Sequence, residues 1–285
     1  MKKVLSILLA MALTFGISGC GNKPSEDAKS EAKTETKTSN VLKVGMECNY
    51  APYNWAQADD SNGAVPIKNV DNMYTNGYDV KVAQKIADSM GKKLEIYSYD
   101  WDSLIPGVQS GKLDMIIAGM SPTSERKEKI DFSNNYFTSN LVIVTKKGNL
   151  SDVKSIADLD GKKIAAQSGT FHLDALTAQT KAQAEEMNDF TTMLIALGAG
   201  TIEGYVAEEP TAMAVCLDPT YDYIPLVNND TGFSVEDDEV SIAVGVKKGS
   251  DELKSKINEA LSSLDTDAQK KLMNEMVEIA PSEEE

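Results

Sequence analysis

The apolar run Leu113–Ala118 stops at Gly119-Met120-Ser121-Pro122 and passes into the charged segment Ser124–Ile130. Such a pattern reads as a strand that ends where a helix begins. Ser121 suits the N-cap, and Pro122 suits the first helical position. Unpaired backbone N–H groups at a helix start attract an anion. Arg126, one turn in, adds a fork that matches a carboxylate. The junction therefore predicts a place for a small carboxylate. The same residues also fit an ordinary strand–helix turn with a surface arginine, and the segment by itself does not separate the two.

The same kind of unit recurs along the chain. Val41–Gly45, Leu94–Tyr97 and Leu113–Ala118 read as strands, and Asn140–Thr145 as extended and apolar. Between them, Tyr78–Met90 reads as an amphipathic helix with Val82, Ala83, Ile86 and Met90 on one face, and Trp101–Gln109 as a short helix stopped by Gly111. A second series has strands at Lys163–Ala166, Gly204–Ala207 and Tyr223–Pro225. Its helices fall near Leu173–Met187, Thr192–Leu197 and Pro210–Leu217. Ser241–Lys247 is again β-like, and a helix pair runs from Asp251 to Ile279. Alternation of this kind predicts an α/β fold of mostly parallel sheets flanked by helices. Residues 56–74, rich in Asp, Asn and Gly, read as a surface loop.

The N-terminal segment reads as an export signal. Lys2 and Lys3 precede an apolar run, Val4–Ile17, that is too short to span a membrane. Ile17-Ser18-Gly19-Cys20 resembles a lipoprotein signal, which makes residues 1–19 the signal peptide and Cys20 the lipidated first residue. The alternative is an ordinary secretory signal cut near the same place. Residues 21–40 are Lys, Glu, Ser and Thr with little apolar content, and read as a flexible tether. About 245 residues remain, enough for two lobes with a core each. The formal net charge of −16 argues against nucleic acid as a partner. A single histidine and no closely spaced cysteine pair leave no metal-ligand pattern, and no GxxxxGK[ST] phosphate loop is present. No cofactor is expected.

Several blocks in order carry a resemblance. VGMECNYAPYNW (44–55), NGYDVKVAQKIA (76–87), the stretch 100–136, IAAQSGT (164–170), GTIEGYVAEEPTA (200–212) and SIAVGVKKG (241–249) resemble the polar amino-acid binding proteins of ABC importers. That group is the bacterial extracellular solute-binding protein family 3, and the similarity runs over about residues 41–280. It implies a two-lobed, type II periplasmic-binding-protein-like fold, with the two apolar segments near 140–145 and 241–247 forming a two-strand hinge. One lobe is expected at 41–140 plus 246–285, the other at 141–245. Cys48 and Cys216 then fall in different lobes and read as free thiols, because a bridge would pin lobes that need to move.

The resemblance also implies a site for a free amino acid. Arg126 and the backbone of Gly119, Met120 and Ser121 are expected to take the carboxylate, joined by Thr170 from the Ser168-Gly169-Thr170 turn. Phe171 stands where the family often has a second small hydroxyl residue. Glu208 is expected to take the ammonium, with Glu209 as the neighbouring alternative. Glu47, Tyr50, Trp101 and Gln167 would line the side-chain pocket, and an acid beside two aromatic faces points to a cationic side chain such as that of arginine or lysine. Tyr53 and Trp55 read as structural. The expected function is capture of a polar, cationic amino acid for a membrane permease with a separate ATPase, on the outer face of the membrane, without chemistry on the ligand. The alternatives are a cyclic-carboxylate dehydratase on the same fold, which needs an acid or base such as His172 or Glu208, and a lipid-tethered amino-acid sensor.

Overall fold

The structure is a computed structural model and describes residues 40–281. The signal peptide, Cys20 and the tether lie outside the described residues. The first lobe begins with β1 (Val41–Met46), β2 (Asn49–Tyr50), β3 (Asn54–Gln57), β4 (Val65–Pro66) and β5 (Tyr74–Asn76). It continues with α1 (Tyr78–Ser89), β6 (Lys93–Ser98), α2 (Trp101–Gln109), β7 (Met115–Ile116), α3 (Ser124–Lys129) and β8 (Asp131–Thr138). The second lobe contains β9 (Leu141–Lys146), β10 (Lys163–Gln167), α4 (Phe171–Gln179), β11 (Gln183–Met187), α5 (Phe190–Gly198), β12 (Gly204–Glu208), α6 (Glu209–Val215) and β13 (Tyr221–Ile224). Then follow α7 (Asp237–Val240), β14 (Ser241–Val246), α8 (Asp251–Leu261) and α9 (Thr266–Glu278).

Each lobe is built on one five-stranded sheet, ordered β6-β1-β7-β14-β8 in the first and β11-β10-β12-β9-β13 in the second. The two have the same pattern. Three neighbouring strands are parallel, the fourth is antiparallel to its neighbours, and the fifth runs with the first three. Their inner strands are buried on both faces, which is why they read as unbroken apolar runs. In β9, Leu141 and Ile143 enter one hydrophobic cluster while Val142 and Val144 enter the other, as the two-residue strand period requires. Helices α4 and α5 cover opposite faces of the second sheet, Leu176 on one side and Met193 and Leu197 on the other.

Both apolar segments expected at the hinge are strands, and each lies wholly inside one sheet. Asn140–Thr145 supplies β9 of the second sheet, and Ser241–Lys247 supplies β14, which sits within the first sheet rather than at the border of the second lobe. The chain passes between lobes beside these strands, at Ser139-Asn140 and just before Ser241. The two passages touch: Ser139 N donates to Val240 O at 3.1 Å, and the Thr138 and Ser241 hydroxyls lie 3.0 Å apart.

Three local expectations are corrected. The helix expected over Leu173–Met187 ends at Gln179, and Gln183–Met187 forms the edge strand β11, parallel to β10. Residues 56–74 are not a plain surface loop. Strand β3 leads into it, β4 lies in its middle and both pair with β5 at its end, while β2 completes a small antiparallel sheet beside the main one. Helix α3 begins at Ser124 with Thr123 as its N-cap, not at Pro122 with Ser121. Cys48 and Cys216 are free, the first buried and the second half-buried.

Candidate functional site in the cleft between the lobes

The C-terminal ends of the parallel strands in both sheets converge on one cleft, the usual binding edge of open α/β sheets. Glu47 follows β1, Trp101 follows β6, and Gly119–Ser121 follow β7. Gln167 and Glu208 are the last residues of β10 and β12. Except for Met120, these residues line one small cavity of about 20 Å³ together with Tyr50, Ala118, Arg126, Thr170, Phe171, His172 and Phe190.

Arg126 projects from α3 and is 8% exposed. Its Nη1 donates to Ser121 O at 3.0 Å, its Nη2 to Gly169 O at 3.4 Å, and its guanidinium lies 4.9 Å from the Trp101 ring centre. Among the described residues no carboxylate forms an ion pair with it. Burial pulls its pKa down to about 10, so it remains a cation at neutral pH. Ser121, relieved of the expected capping role, donates its hydroxyl to Glu239 O at 2.7 Å.

The Gly119 turn is held from behind. Asp79, fully buried at the start of α1, accepts from Tyr136 at 2.7 Å, from Asn54 Nδ2 at 2.8 Å and from the Gly119 backbone. Asn54 in turn accepts from Cys48 N at 2.7 Å, so one buried network ties the Glu47–Tyr50 segment to the Gly119 turn. Gly119 has φ +58°, and a Cβ there would stand 2.9 Å from the Tyr50 ring. Only glycine allows both the backbone conformation and the close ring.

On the other wall, Gln167 Nε2 donates to Glu47 Oε1 at 2.9 Å and to Asn188 O at 3.0 Å. Burial pushes the Glu47 carboxyl up to about 8; Asp189, Asp100 and Asp102 push the same way, and the Gln167 bond opposes them. Tyr50 lies between Phe190, stacked at 4.0 Å, and Tyr53, stacked at 4.9 Å. Trp101 Nε1 donates to Gly169 O at 3.1 Å, so two side chains of the first lobe meet one carbonyl of the second. The Thr170 hydroxyl donates to Gln167 O at 2.7 Å, which commits its proton to its own turn. Phe171 opens α4.

Glu208 is buried and lacks a cation, and its pKa rises to about 8 through burial. Its Oε1 is 3.3 Å from His172 Nε2, poorly aligned for a hydrogen bond, and its Oε2 has no partner. Glu209 lines a different groove, behind the two chain crossings.

The structure thus brings ten of the eleven expected ligand-contacting residues to the cavity wall. The exception is Met120: its carbonyl accepts from Ala243 N at 3.0 Å, and the residue belongs to the buried core and borders the adjoining outer groove. Sequence reasoning passed over His172 and Phe190 as ligand contacts. Phe190 was hidden because β11 looked helical, so the strand end just before Asp189-Phe190 went unseen. His172 had one usable signal, its place two residues after Thr170 of the Gly-Thr turn.

Two sheets that meet at an inter-lobe cleft lined by an arginine and buried acids form a two-lobed α/β architecture of the periplasmic-binding-protein type. Residues 42–276 match the model of the bacterial extracellular solute-binding proteins, family 3, and the chain belongs to that family. It is 27% identical over 271 residues to the arginine-binding extracellular protein ArtP of Bacillus subtilis, covering 93% of each chain. It is 32% identical over 212 residues to a probable histidine-binding protein of Campylobacter jejuni, covering 74% of this chain and 76% of that one. Among solved structures, an amino acid ABC transporter substrate-binding protein from Streptococcus pneumoniae bound to L-arginine superposes with a TM-score of 0.73 at 28% identity, over 84% of this chain and 94% of that one.

Proposed function

We propose that this protein is the extracytoplasmic binding component of an amino-acid ABC importer and that its ligand is a cationic amino acid, arginine or lysine in type. The observation that carries the reading is the set of buried ionisable groups in one small cavity. Among the described residues Arg126 has no carboxylate partner, and Glu208 and Glu47 have no Lys or Arg partner. A buried charge left unpaired is costly, and a ligand of complementary charge removes that cost. An amino-acid carboxylate matches Arg126 and an ammonium matches Glu208. A second positive group matches Glu47, and the rings of Tyr50, Trp101 and Phe190 line the same cavity. Relatives that bear the names of arginine- and histidine-binding proteins support the same ligand class.

In this reading the eleven residues named from the sequence form the binding set, with Met120 contributing through its backbone. The lobes close by hinge motion over the two crossings, with 41–140 and the C-terminal tail moving against the intervening segment. A permease and a separate ATPase are the partners, and lipid on Cys20 holds the protein at the outer face of the membrane. The test is thermal unfolding of refolded, ligand-stripped protein against the twenty amino acids, ornithine and citrulline. A rise with arginine or lysine but not citrulline is expected. In Glu47→Gln the preference for arginine over glutamine should collapse; an unchanged preference removes the cationic pocket, and no rise with any amino acid removes the importer reading.

A further inference from the structure

His172 and Glu208 are buried against one another, and each has unmet hydrogen-bonding capacity. Neither ring nitrogen of His172 has a hydrogen-bond partner, and Glu208 Oε2 has none. Nε2 and Oε1 stand 3.3 Å apart, within reach but misaligned. Buried polar atoms are almost always paired, so several unpaired ones on one cavity wall mark a place where a partner belongs. Arg126 lines the same cavity, which puts His172 beside the two groups expected to hold the ends of an amino acid.

The surroundings bear on the charge of the ring. Glu208 of β12 stands 3.3 Å from it, Arg126 of α3, Glu47 after β1 and Tyr50 of β2 line the same cavity, and Asp174 lies on its own helix and Asp189 at the start of α5. Burial, and then Arg126, drive the ring's pKa down to about 3, so it is neutral and carries one N–H. Without a cation beside it, Glu208 holds its proton up to about pH 8.

We propose that His172 is a positioning residue of this site: as the neutral Nε2–H tautomer it donates to the ionised Glu208 and fixes that carboxylate against the ligand ammonium, so that Glu208 gives up its proton when the amino acid is captured. The Glu208 O–H bond breaks and its proton passes to solvent. The carboxylate then accepts one hydrogen from His172 and one from the ammonium, and the ring neither gains nor loses a proton. This inference rests on the amino-acid reading above.

His172 is the only histidine of the chain, so its ring signals are unambiguous. In protein labelled with ¹⁵N-histidine and free of amino acid, the ring shifts should stay those of a neutral imidazole from pH 5 to 9. They should also show a step near pH 8 that vanishes in Glu208→Gln. Saturating L-arginine should remove that step and move Nε2 toward a hydrogen-bonded donor shift. Affinity for arginine should tighten between pH 6 and 8, Glu208 contributing up to about tenfold per pH unit beside the contribution of Glu47. His172→Gln, which keeps an N–H, should hold affinity within about threefold, whereas His172→Leu should lose about thirtyfold or more with its unfolding midpoint retained. Ring shifts that ignore arginine, in a sample whose unfolding midpoint arginine raises, overturn the proposal. So does a missing step near pH 8. If arginine leaves the midpoint unmoved, the amino-acid reading fails and the proposal falls with it.

Discussion

Arg126 has given up most of its water for two carbonyl contacts and an indole face, a poor exchange for a cation. Arg126→Ala should therefore abolish measurable amino-acid binding, a loss of about 3–5 kcal/mol, while the unfolding midpoint without amino acid holds or rises. Calorimetric titration together with thermal unfolding checks both halves. The buried acids predict a pH profile. Glu47 and Glu208 bind protons more tightly when folded, with values near 8 against 4.5, so the stability they contribute is lost as pH rises through 8. His172 acts the other way, but only between about 3 and 6.5. From pH 6.5 to 8.5 the carboxyl groups act alone, joined by Asp79, raised to about 7. The midpoint of ligand-stripped protein should fall across that window, and less steeply in Glu47→Gln or Glu208→Gln; a flat wild-type profile contradicts the burial argument.

At the scale of elements, the two lobes are clasped at Gly169. It has φ +65°, its carbonyl accepts from Trp101 and Arg126, and a Cβ there would sit 2.9 Å from Asp102 Oδ1. Gly169→Ala should weaken amino-acid binding about tenfold through hindered closure, and cost only about 1 kcal/mol of stability from the left-handed backbone. Equilibrium titration alongside urea unfolding separates the two effects. Elements also mark where the sequence was legible. The inner strands announce themselves because double-sided burial leaves an uninterrupted apolar run, and the acids at their ends follow from that placement. Strand β11 is different: Gln183–Met187 is an exposed edge whose Gln, Ala and Glu residues favour a helix in isolation, and pairing with β10 overrides that preference. The true start of α3 was masked because Ser121-Pro122 and Thr123 both carry capping chemistry, and only the bond from Ser121 to Glu239, over a hundred residues away, draws Ser121 elsewhere. Contacts of that range leave no local trace.

At the scale of the molecule, α9 braces both halves, packing on α6 of the second lobe and on α1 and β8 of the first. Met273, 2% exposed, sits in that brace and lines the groove behind the crossings. Met273→Ala should cost about 2–5 kcal/mol, read as a lower urea midpoint with an unchanged slope. The place of β14 has a further consequence, for the order in which the chain becomes structured. Every strand of the second sheet lies between Leu141 and Ile224, so that sheet can assemble from one unbroken length. The first sheet waits for Ser241–Val246, because β14 is the only link between β7 and β8. During synthesis from the N-terminus, the half made first is therefore the half completed last, and until then β7 and β8 present bare edges.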